Sequence, residues 1–152
     1  MTRQQKWDYR YLALVDLVAS WSKDPSTKTG AAIVRPDFTL CSIGYNGFPS
    51  AMPDQQENYN NREAKYSRII HCEMNALLHV RERVAGYTLY TTGCSCDRCF
   101  VHMVQAGISR FVFFYRPEMQ ARWGKQFEAV EEYAKECGVE LVKYLREPVH
   151  AS

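Results

Sequence analysis

The chain has 152 residues, and 46% of them are hydrophobic, which is enough to build the core of one domain. Its 19 basic and 17 acidic side chains nearly balance at a net charge of +2, and no basic run of the kind that binds nucleic acid or membrane surfaces occurs. The N-terminal stretch is polar and no long apolar run follows, so we expect neither a signal peptide nor a membrane-spanning helix.

The first part of the chain has the pattern of a helix followed by a β-hairpin. Apolar residues recur every three or four positions over residues 7–21, which predicts an amphipathic helix that ends before Pro25. Residues 30–35 and 38–45 have the composition of strands, and the Pro36-Asp37 turn between them predicts antiparallel pairing.

The rest of the chain alternates helices and strands. The polar residues 50–67 are either a solvated insertion or a cover for a binding site. After them the patterns predict a helix from residue 71 to Gly86, a strand over 87–91, a helix ended by Gly107, a strand over 111–115, a helix over 118–136 capped by Gly138, and a strand over 139–144. Because helices separate the later strands, we expect crossover connections. We therefore predict one α/β domain over residues 1–152, a three-layer α-β-α arrangement with a five-stranded mixed sheet.

One histidine, one glutamate and a pair of cysteines form the chemical centre of the sequence. His71 and Glu73 form an H-x-E motif, and Cys96 and Cys99 form a C-x-x-C motif. One imidazole nitrogen and two thiolates suit a tetrahedral zinc ion and leave a fourth position for water. Glu73 would stand beside the metal without binding it, where it can take up and pass on a proton. H-x-E followed by C-x-x-C is the signature of zinc-dependent nucleobase deaminases.

The six cysteines could also form three disulfides. A chain with a full core and no secretion signal does not need them, however, and clustered cysteines in such a chain more often bind metal. We therefore expect a reducing, intracellular location, most simply the cytoplasm.

Motifs over most of the chain resemble the cytidine deaminase superfamily, and within it the deoxycytidylate (dCMP) deaminases. The matching segments are residues 22–25 (SKDP), 30–31, 44–49 (GYNGFP), 71–76 (HCEMNA), 89–92, 96–99 and 105–108. H-x-E and C-x-x-C specify only the superfamily, whereas SKDP and GYNGFP point to the dCMP deaminases. The resemblance implies a cytidine deaminase-like fold and zinc-dependent hydrolysis of dCMP to dUMP and ammonia.

The resemblance also implies roles for individual residues at the reacting centre. It makes His71, Cys96 and Cys99 the zinc ligands and Glu73 the proton shuttle. Asn46 matches the asparagine that holds the sugar hydroxyl.

The pyrimidine and the regulatory ligands have further candidates. The backbones of Ala31 and Cys72 match positions that read the edge of the base, and Tyr115, at a strand end, could stack on it or pack in the core. By resemblance, dCTP would activate and dTTP would inhibit at an effector site that includes Ser22, Lys23, Tyr45 and Gly47. The implied assembly is a homohexamer, and Mg²⁺ would enter only with an effector triphosphate.

Several assignments have alternatives at this level. Cys94 precedes the C-x-x-C pair and is an alternative ligand, although the spacing to Ile108 favours Cys96 and Cys99. Asn46 could instead serve as a left-handed turn residue. Three basic residues could meet a substrate phosphate or be ordinary surface charges: Lys65, Arg68 and Arg116.

Two other classes of function compete with dCMP deamination. The protein could deaminate another base carrier, such as cytidine, deoxycytidine, a tRNA adenosine or single-stranded DNA, although the near-neutral charge argues against a polynucleotide. It could also be a non-catalytic zinc module, but a structural site would want a fourth protein ligand and would leave Glu73 unexplained.

Overall fold

The structure is a computed structural model that describes residues 1–146, apart from the side chains of Gln120 and Trp123. Within that range the elements are α1 (Arg3–Ala19), β1 (Gly30–Val34), β2 (Leu40–Tyr45), α2 (Gln56–Asn60), α3 (Arg62–Arg68), α4 (Cys72–Leu78), β3 (Thr88–Thr91), α5 (Asp97–Ala106), β4 (Arg110–Tyr115), α6 (Pro117–Cys137) and β5 (Glu140–Leu145). None of the helices in residues 1–146 combines the length and the apolar character that a bilayer span requires.

The five strands form one sheet in the order β2-β1-β3-β4-β5. A short turn joins β1 to β2, so these strands pair antiparallel, and β1 also pairs antiparallel with β3. β3, β4 and β5 pair in parallel because α5 and α6 carry the chain back across the sheet between them. The predicted five-stranded mixed sheet is confirmed.

Side chains alternate across the sheet, so each face has its own apolar core. Ile33 belongs to a cluster that includes Met103 of α5 and Val130 of α6, together with residues of α4. Val34 points the other way and packs in a cluster with Leu12 of α1. Helices therefore cover both faces, and the predicted three-layer arrangement is confirmed.

Two glycines let a helix approach the β1–β2 hairpin closely on each face. A Cβ atom added to Gly30 would lie 2.3 Å from the carbonyl oxygen of Val15 in α1. A Cβ atom added to Gly44 would lie 2.4 Å from the amide nitrogen of Ala76 and 2.5 Å from the carbonyl oxygen of Cys72, both in α4. Because these distances are too short for any side chain, Gly44 sets how close α4 lies to the sheet.

A buried carboxylate joins α1 to the sheet. Asp8 is fully buried and accepts two 2.7 Å hydrogen bonds from the guanidinium of Arg110, as well as one each from the hydroxyls of Tyr90 and Tyr144. Burial alone would raise the pKa of Asp8, but these donors hold it below the usual carboxyl value. Because Arg110 and the two hydroxyls pair with the carboxylate of Asp8, its negative charge can be buried between α1 and the sheet at little cost.

α1 starts earlier and ends earlier than the predicted helix over residues 7–21. Thr2 caps its N-terminus in a capping box. The helix ends at Ala19, where the amides of Trp21 and Ser22 bond to carbonyls three residues back. The apolar rhythm identified the buried face of the helix, but its cap is polar and lies outside that rhythm.

The helix that follows His71 ends at Leu78, so the prediction that it reaches Gly86 was wrong. Leu78 is 65% exposed, which shows that the apolar stripe does not continue on one face of the helix. The chain turns away there, and Val84 packs in the core instead.

Two other segments differ from their predictions. β2 begins at Leu40 rather than at residue 38, because Phe38 has a left-handed φ of 72° in the turn that joins the strands. The polar residues 50–67 contain two short helices, α2 and most of α3.

We predict that Gly44→Ala lowers the free energy of unfolding by about 1–3 kcal/mol, because the new methyl group overpacks against the backbone of α4. Gly47→Ala is the matched control, since a Cβ atom there would meet only the hydroxyl of Tyr59 at 4.0 Å. The control should change stability by about 0.5 kcal/mol or less. Urea unfolding of both variants measures the difference, and equal stabilities would contradict the close-approach explanation.

Candidate active site

One histidine and two cysteines lie together where two helices begin. The Nδ1 atom of His71 is 3.3 Å from the Sγ atom of Cys96 and 3.3 Å from that of Cys99, and the three atoms all lie within 4.8 Å of one another. His71 caps the N-terminus of α4, and Cys96 caps that of α5, which also contains Cys99 in its first turn. In the described part of the chain, this is the one His, Cys, Asp or Glu group placed to hold a metal ion.

The donors and spacing of this cluster fit zinc. One nitrogen and two sulfur atoms are ligands that zinc prefers, and the 3.3 Å separations suit atoms bound to one tetrahedral ion at about 2.0–2.3 Å. Hydrogen bonds from Cys99 and His71 lower the pKa of Cys96. The pKa of Cys99 is raised, first because its thiol hydrogen-bonds to Cys96 and then because of burial and of the negative charges of Glu73 and Cys96. A divalent cation would remove this conflict by stabilising both thiolates.

Glu73 lies beside the cluster in the first turn of α4. Its side chain is buried, and it lines the same cavity as His71 and Cys96. Burial raises the pKa of Glu73, and the nearby sulfur of Cys96 raises it further. A raised pKa makes the carboxyl group hold a proton more readily, which favours a role in general acid–base chemistry.

Two other cysteines lie near the cluster but outside it. The side chain of Cys72 packs in the apolar core, and burial raises its pKa well above the usual value. Cys94 packs against the same core, and burial raises its pKa to about 12, so it remains a thiol at neutral pH. Because its sulfur does not belong to the three-atom group, the geometry favours the Cys96 and Cys99 pair over Cys94.

The cluster opens into a cavity of about 620 Å³, a size typical of small-molecule sites. One wall comes from the polar stretch, in particular from residues 54–68, which we call the α2–α3 segment. Its lining side chains are Tyr59, Asn60, Arg62, Lys65 and Tyr66. The opposite wall of the cavity is formed by the ends of β3 and β4 and by the first half of α6. The α2–α3 segment is therefore part of the site and not a distant insertion.

Asn46 fixes the loop between α1 and β1 against the cavity. It is 5% exposed, and its side-chain oxygen accepts a 2.8 Å hydrogen bond from the amide of Thr29. Its NH₂ group donates to the carbonyl of Thr27 at 2.8 Å and to the carboxylate of Asp24 at 3.4 Å. Asn46 does not have a positive φ, so the alternative prediction of a left-handed turn residue was wrong.

Asp24 joins the same loop to α3. It is fully buried, accepts hydrogen bonds from the amides of Ser26 and Thr27, and forms a 2.7 Å ion pair with Lys65. Burial alone would raise the pKa of Asp24, but Lys65 and the two amides hold it below the usual value.

The candidates for contacts with the base lie at different depths. Cys72 and Tyr115 line the cavity, whereas Ala31 is buried in β1 and belongs to the core beside it. Tyr115 is half-buried at the end of β4, and its ring centroid is 5.7 Å from that of Phe127. An aromatic face at this position is compatible with stacking, which stays a prediction.

The candidates for effector contacts lie outside the cavity lining. Ser22 is buried, and its hydroxyl donates a 2.8 Å hydrogen bond to the carbonyl of Asn46. Lys23 is exposed and pairs with Asp54 at 2.7 Å. Ser22 therefore connects this part of the surface to a residue of the cavity wall.

The other two effector candidates follow β2. Tyr45 is 40% exposed, and its ring makes an edge contact with Trp21 at a centroid distance of 6.4 Å. Gly47 is buried, and its backbone pairs with that of Ile70 in an isolated β-bridge. This bridge joins the loop after β2 to the residue just before His71.

Basic side chains reach the cavity from two elements. Lys65 lines it, but Arg68 and Arg116, the other two predicted phosphate candidates, do not. The sequence patterns missed Arg62 of α3 and Arg122 of α6, which both line it. Arg62 stands three positions before Lys65, a spacing that would have shown a shared face if the stretch had been predicted to be helical.

Comparison with known proteins gives a family match and several relatives. Residues 5–115 match the model of the cytidine and deoxycytidylate deaminase zinc-binding region. An uncharacterized deaminase from the luxG 3′ region of Aliivibrio fischeri is 34% identical over 140 residues, which covers 90% of this chain and 92% of that protein. The deoxycytidylate deaminase of Homo sapiens is 32% identical over 114 residues, which covers 71% of this chain but only 64% of the human protein.

Among solved structures, the dCMP deaminase of the cyanophage S-TIM5 has a similar fold. Its apo form superposes with a TM-score of 0.72, covering 95% of this chain and 100% of the phage protein. The sequences are 22% identical, so this likeness concerns the fold.

We predict that the purified protein holds one zinc ion per chain and that Cys99→Ala loses it, because only two protein ligands remain. Cys94→Ala is the matched control, since that thiol lies outside the cluster, and it should keep its zinc. Elemental analysis after dialysis against a mild chelator measures both variants. Loss of zinc from Cys94→Ala together with retention by Cys99→Ala would overturn the assignment.

Proposed function

The chain belongs to the cytidine and deoxycytidylate deaminase family, and on that premise we propose that it hydrolyses dCMP to dUMP and ammonia. The observation that carries the proposal is one cavity lined by His71 and Cys96 of the metal cluster, by the buried Glu73, and by Arg62 and Arg122. His71, Cys96 and Cys99 would hold the zinc ion. When bound, zinc supplies a Lewis acid that lowers the pKa of coordinated water.

Glu73 moves the protons of this reaction. Its carboxylate takes a proton from the attacking water and gives it to N3 of the pyrimidine ring. It then takes the second proton from the new hydroxyl at C4 and gives it to the amino group on the same carbon. A C4–O bond forms, the C4–N bond breaks, and ammonia leaves a keto pyrimidine behind. The burial of Glu73 supports this role, because a raised pKa lets the side chain act first as a base and then as an acid.

The base and the sugar meet the walls on either side of Glu73. The backbone of Cys72 in the cavity wall reads the pyrimidine edge, and the ring of Tyr115 stacks on the face of the base. The family resemblance adds the backbone of Ala31, which lies in the core directly behind this wall. Asn46 holds the sugar hydroxyl. The three hydrogen bonds of the Asn46 side chain orient it before the substrate arrives, and because they use both of its N–H groups, its oxygen accepts from the sugar hydroxyl with the second lone pair.

The phosphate group is bound by arginine. Arg62 and Arg122 both line the cavity, and guanidinium groups suit phosphate because they offer paired donors in a fixed plane. Lys65 lines the cavity too, but its ammonium is already paired with the buried Asp24.

Regulation and assembly complete the proposal. dCTP activates and dTTP inhibits through Ser22, Lys23, Tyr45 and Gly47, with Mg²⁺ arriving on the triphosphate, in a homohexamer. The bond from Ser22 to Asn46 supports a route from this surface to the substrate. The six free cysteines support a reducing, cytoplasmic location.

We predict ammonia release from dCMP and far less from deoxycytidine, with turnover of dCMP raised by dCTP and lowered by dTTP. Glu73→Gln is the inactive control. Its kcat should fall by about 10²–10⁴-fold because the side chain can no longer transfer protons, and its zinc content should not change. Preferred turnover of deoxycytidine would move the protein to nucleoside substrates. If zinc is bound but neither compound reacts, that result contradicts the proposed reaction and favours the non-catalytic zinc module.

We predict that Arg62→Met lowers kcat/KM for dCMP by about tenfold to 100-fold, which corresponds to the loss of one charged hydrogen bond. The rate with deoxycytidine should not fall in parallel, because that compound has no phosphate. Arg68→Met is the matched control, since Arg68 belongs to the same helix but does not line the cavity. Equal effects of Arg62→Met on both compounds would contradict a phosphate contact.

A further inference from the structure

Two neighbouring residues of the loop before β1 hold the α2–α3 segment. Lys23 pairs with Asp54 at the start of the segment, and Asp24 pairs with Lys65 in α3, each at 2.7 Å. The pairs differ in burial: the Lys23 side chain is 69% exposed, whereas those of Asp24 and Lys65 are 0% and 14% exposed. Exposed pairs contribute little to stability, so the Asp24–Lys65 pair is the stronger contact.

The Gly47–Ile70 bridge fixes the chain two residues after α3 ends, but the helix itself has few other anchors. None of its residues, Arg62 to Arg68, is buried, so no apolar anchor connects this helix to the core. The stacked rings of Phe48 and Tyr59, with centroids 3.9 Å apart, fix α2 but not α3. Tyr59 and the Ile70 bridge fix the two ends of the stretch, and within α3 itself the ion pair of Lys65 with Asp24 makes the connection to a buried residue of another element.

The face of α3 that this pair orients is the one next to the cavity. Arg62 and Tyr66 line the cavity, and the guanidinium of Arg62 lies 5.3 Å from the centroid of the Tyr66 ring. Tyr66 is 62% exposed, so packing does not fix it. If α3 shifted, both side chains would move relative to the cavity wall.

The ammonium of Lys65 is also occupied. It forms the ion pair with Asp24 and donates a 3.0 Å hydrogen bond to the hydroxyl of Ser26. Removing it would leave Asp24 as a fully buried carboxylate without its cation, which is costly. Both partners of the pair therefore favour its persistence when a substrate binds.

We infer that Lys65 is a positioning residue for substrate specificity: through its ion pair with Asp24 it holds α3 so that Arg62 and Tyr66 face the substrate, and it does not itself bind the phosphate. The inference rests on the proposed function for its substrate. The dependence of α3 on the ion pair can be tested by amide hydrogen exchange, which needs no measurement of enzyme activity.

Three variants separate positioning from direct binding. Lys65→Met removes the ammonium, and Lys65→Arg keeps a cation. Asp24→Asn removes the ion pair but keeps an oxygen that can accept from the amides of Ser26 and Thr27. Arg35→Met is the matched control, because it breaks the exposed pair with Glu82 and Arg35 does not line the cavity.

Lys65→Met and Asp24→Asn should each raise KM for dCMP by about tenfold with less than about a threefold change in kcat, while zinc content stays unchanged. The double variant should be no worse than either single variant, because both remove one interaction. Amide hydrogen exchange over residues 65–69 should become about tenfold faster in both single variants. Lys65→Arg and Arg35→Met should stay within about threefold of the parent in both measurements.

Direct binding predicts a different pattern. If Lys65 held the phosphate, Asp24→Asn would free the ammonium, so KM for dCMP would stay the same or fall, and exchange over residues 65–69 would not change. That result would overturn the inference. Should the parent protein not turn over dCMP, the proposed function fails and hydrogen exchange alone decides. Should Asp24→Asn not fold, hydrogen exchange in Lys65→Met decides, because direct binding of the phosphate predicts no change in exchange over residues 65–69.

Discussion

The close packing of α4 against the β1–β2 hairpin is the constraint on which the site depends. Gly44 has no Cβ atom, so the backbone of α4 lies directly against β2. The start of α4 places His71 and Glu73 at the edge of the sheet, and α5 brings Cys96 to the same edge after β3 ends. The metal ligands thus come from two helices that share one apolar core, and their 3.3 Å separations follow from that packing.

A polar network organises the opposite side of the cavity. Asp24 and Asn46 are both buried, and together they bond to the backbone of residues 26–29 and to Lys65 of α3. The described residues contain no buried side-chain nitrogen or oxygen without a hydrogen-bond partner. Because every group is satisfied, this network can hold a loop and a short helix in one arrangement where apolar packing is absent.

The sequence predicted the chemistry and the sheet, but it left the α2–α3 segment open between an insertion and a cover, and it did not predict the two helices there. H-x-E and C-x-x-C are local patterns at helix starts, so their residue types and spacing already define the ligands and the adjacent carboxyl group. β4 was predicted because it is buried on both faces and therefore apolar without interruption. α3 buries no residue, so it has no apolar rhythm by which a helix can be predicted.

The contacts that the sequence could not provide are those between distant segments. Asp24 and Lys65 are 41 positions apart, and no local pattern indicates that they form a pair. Arg62 and Arg122 reach the cavity from α3 and α6, whose relative placement depends on the whole fold. The end of α4 was misplaced for a related reason, since the burial of Val84 outweighed the apolar rhythm. The start of α1 was misplaced for a different one, because its local capping box is polar and lies outside that rhythm.

The molecule thus separates the reacting centre from the groups that would select the substrate. The metal ligands and Glu73 lie on helices packed into the core, where a shift of either helix costs apolar burial. Arg62 and Tyr66 lie on a helix with no buried residue, where substitutions cost the fold little. Sequence change in the α2–α3 segment can therefore alter which substrate is accepted without disturbing the deamination chemistry, provided that the Asp24–Lys65 pair keeps α3 in place.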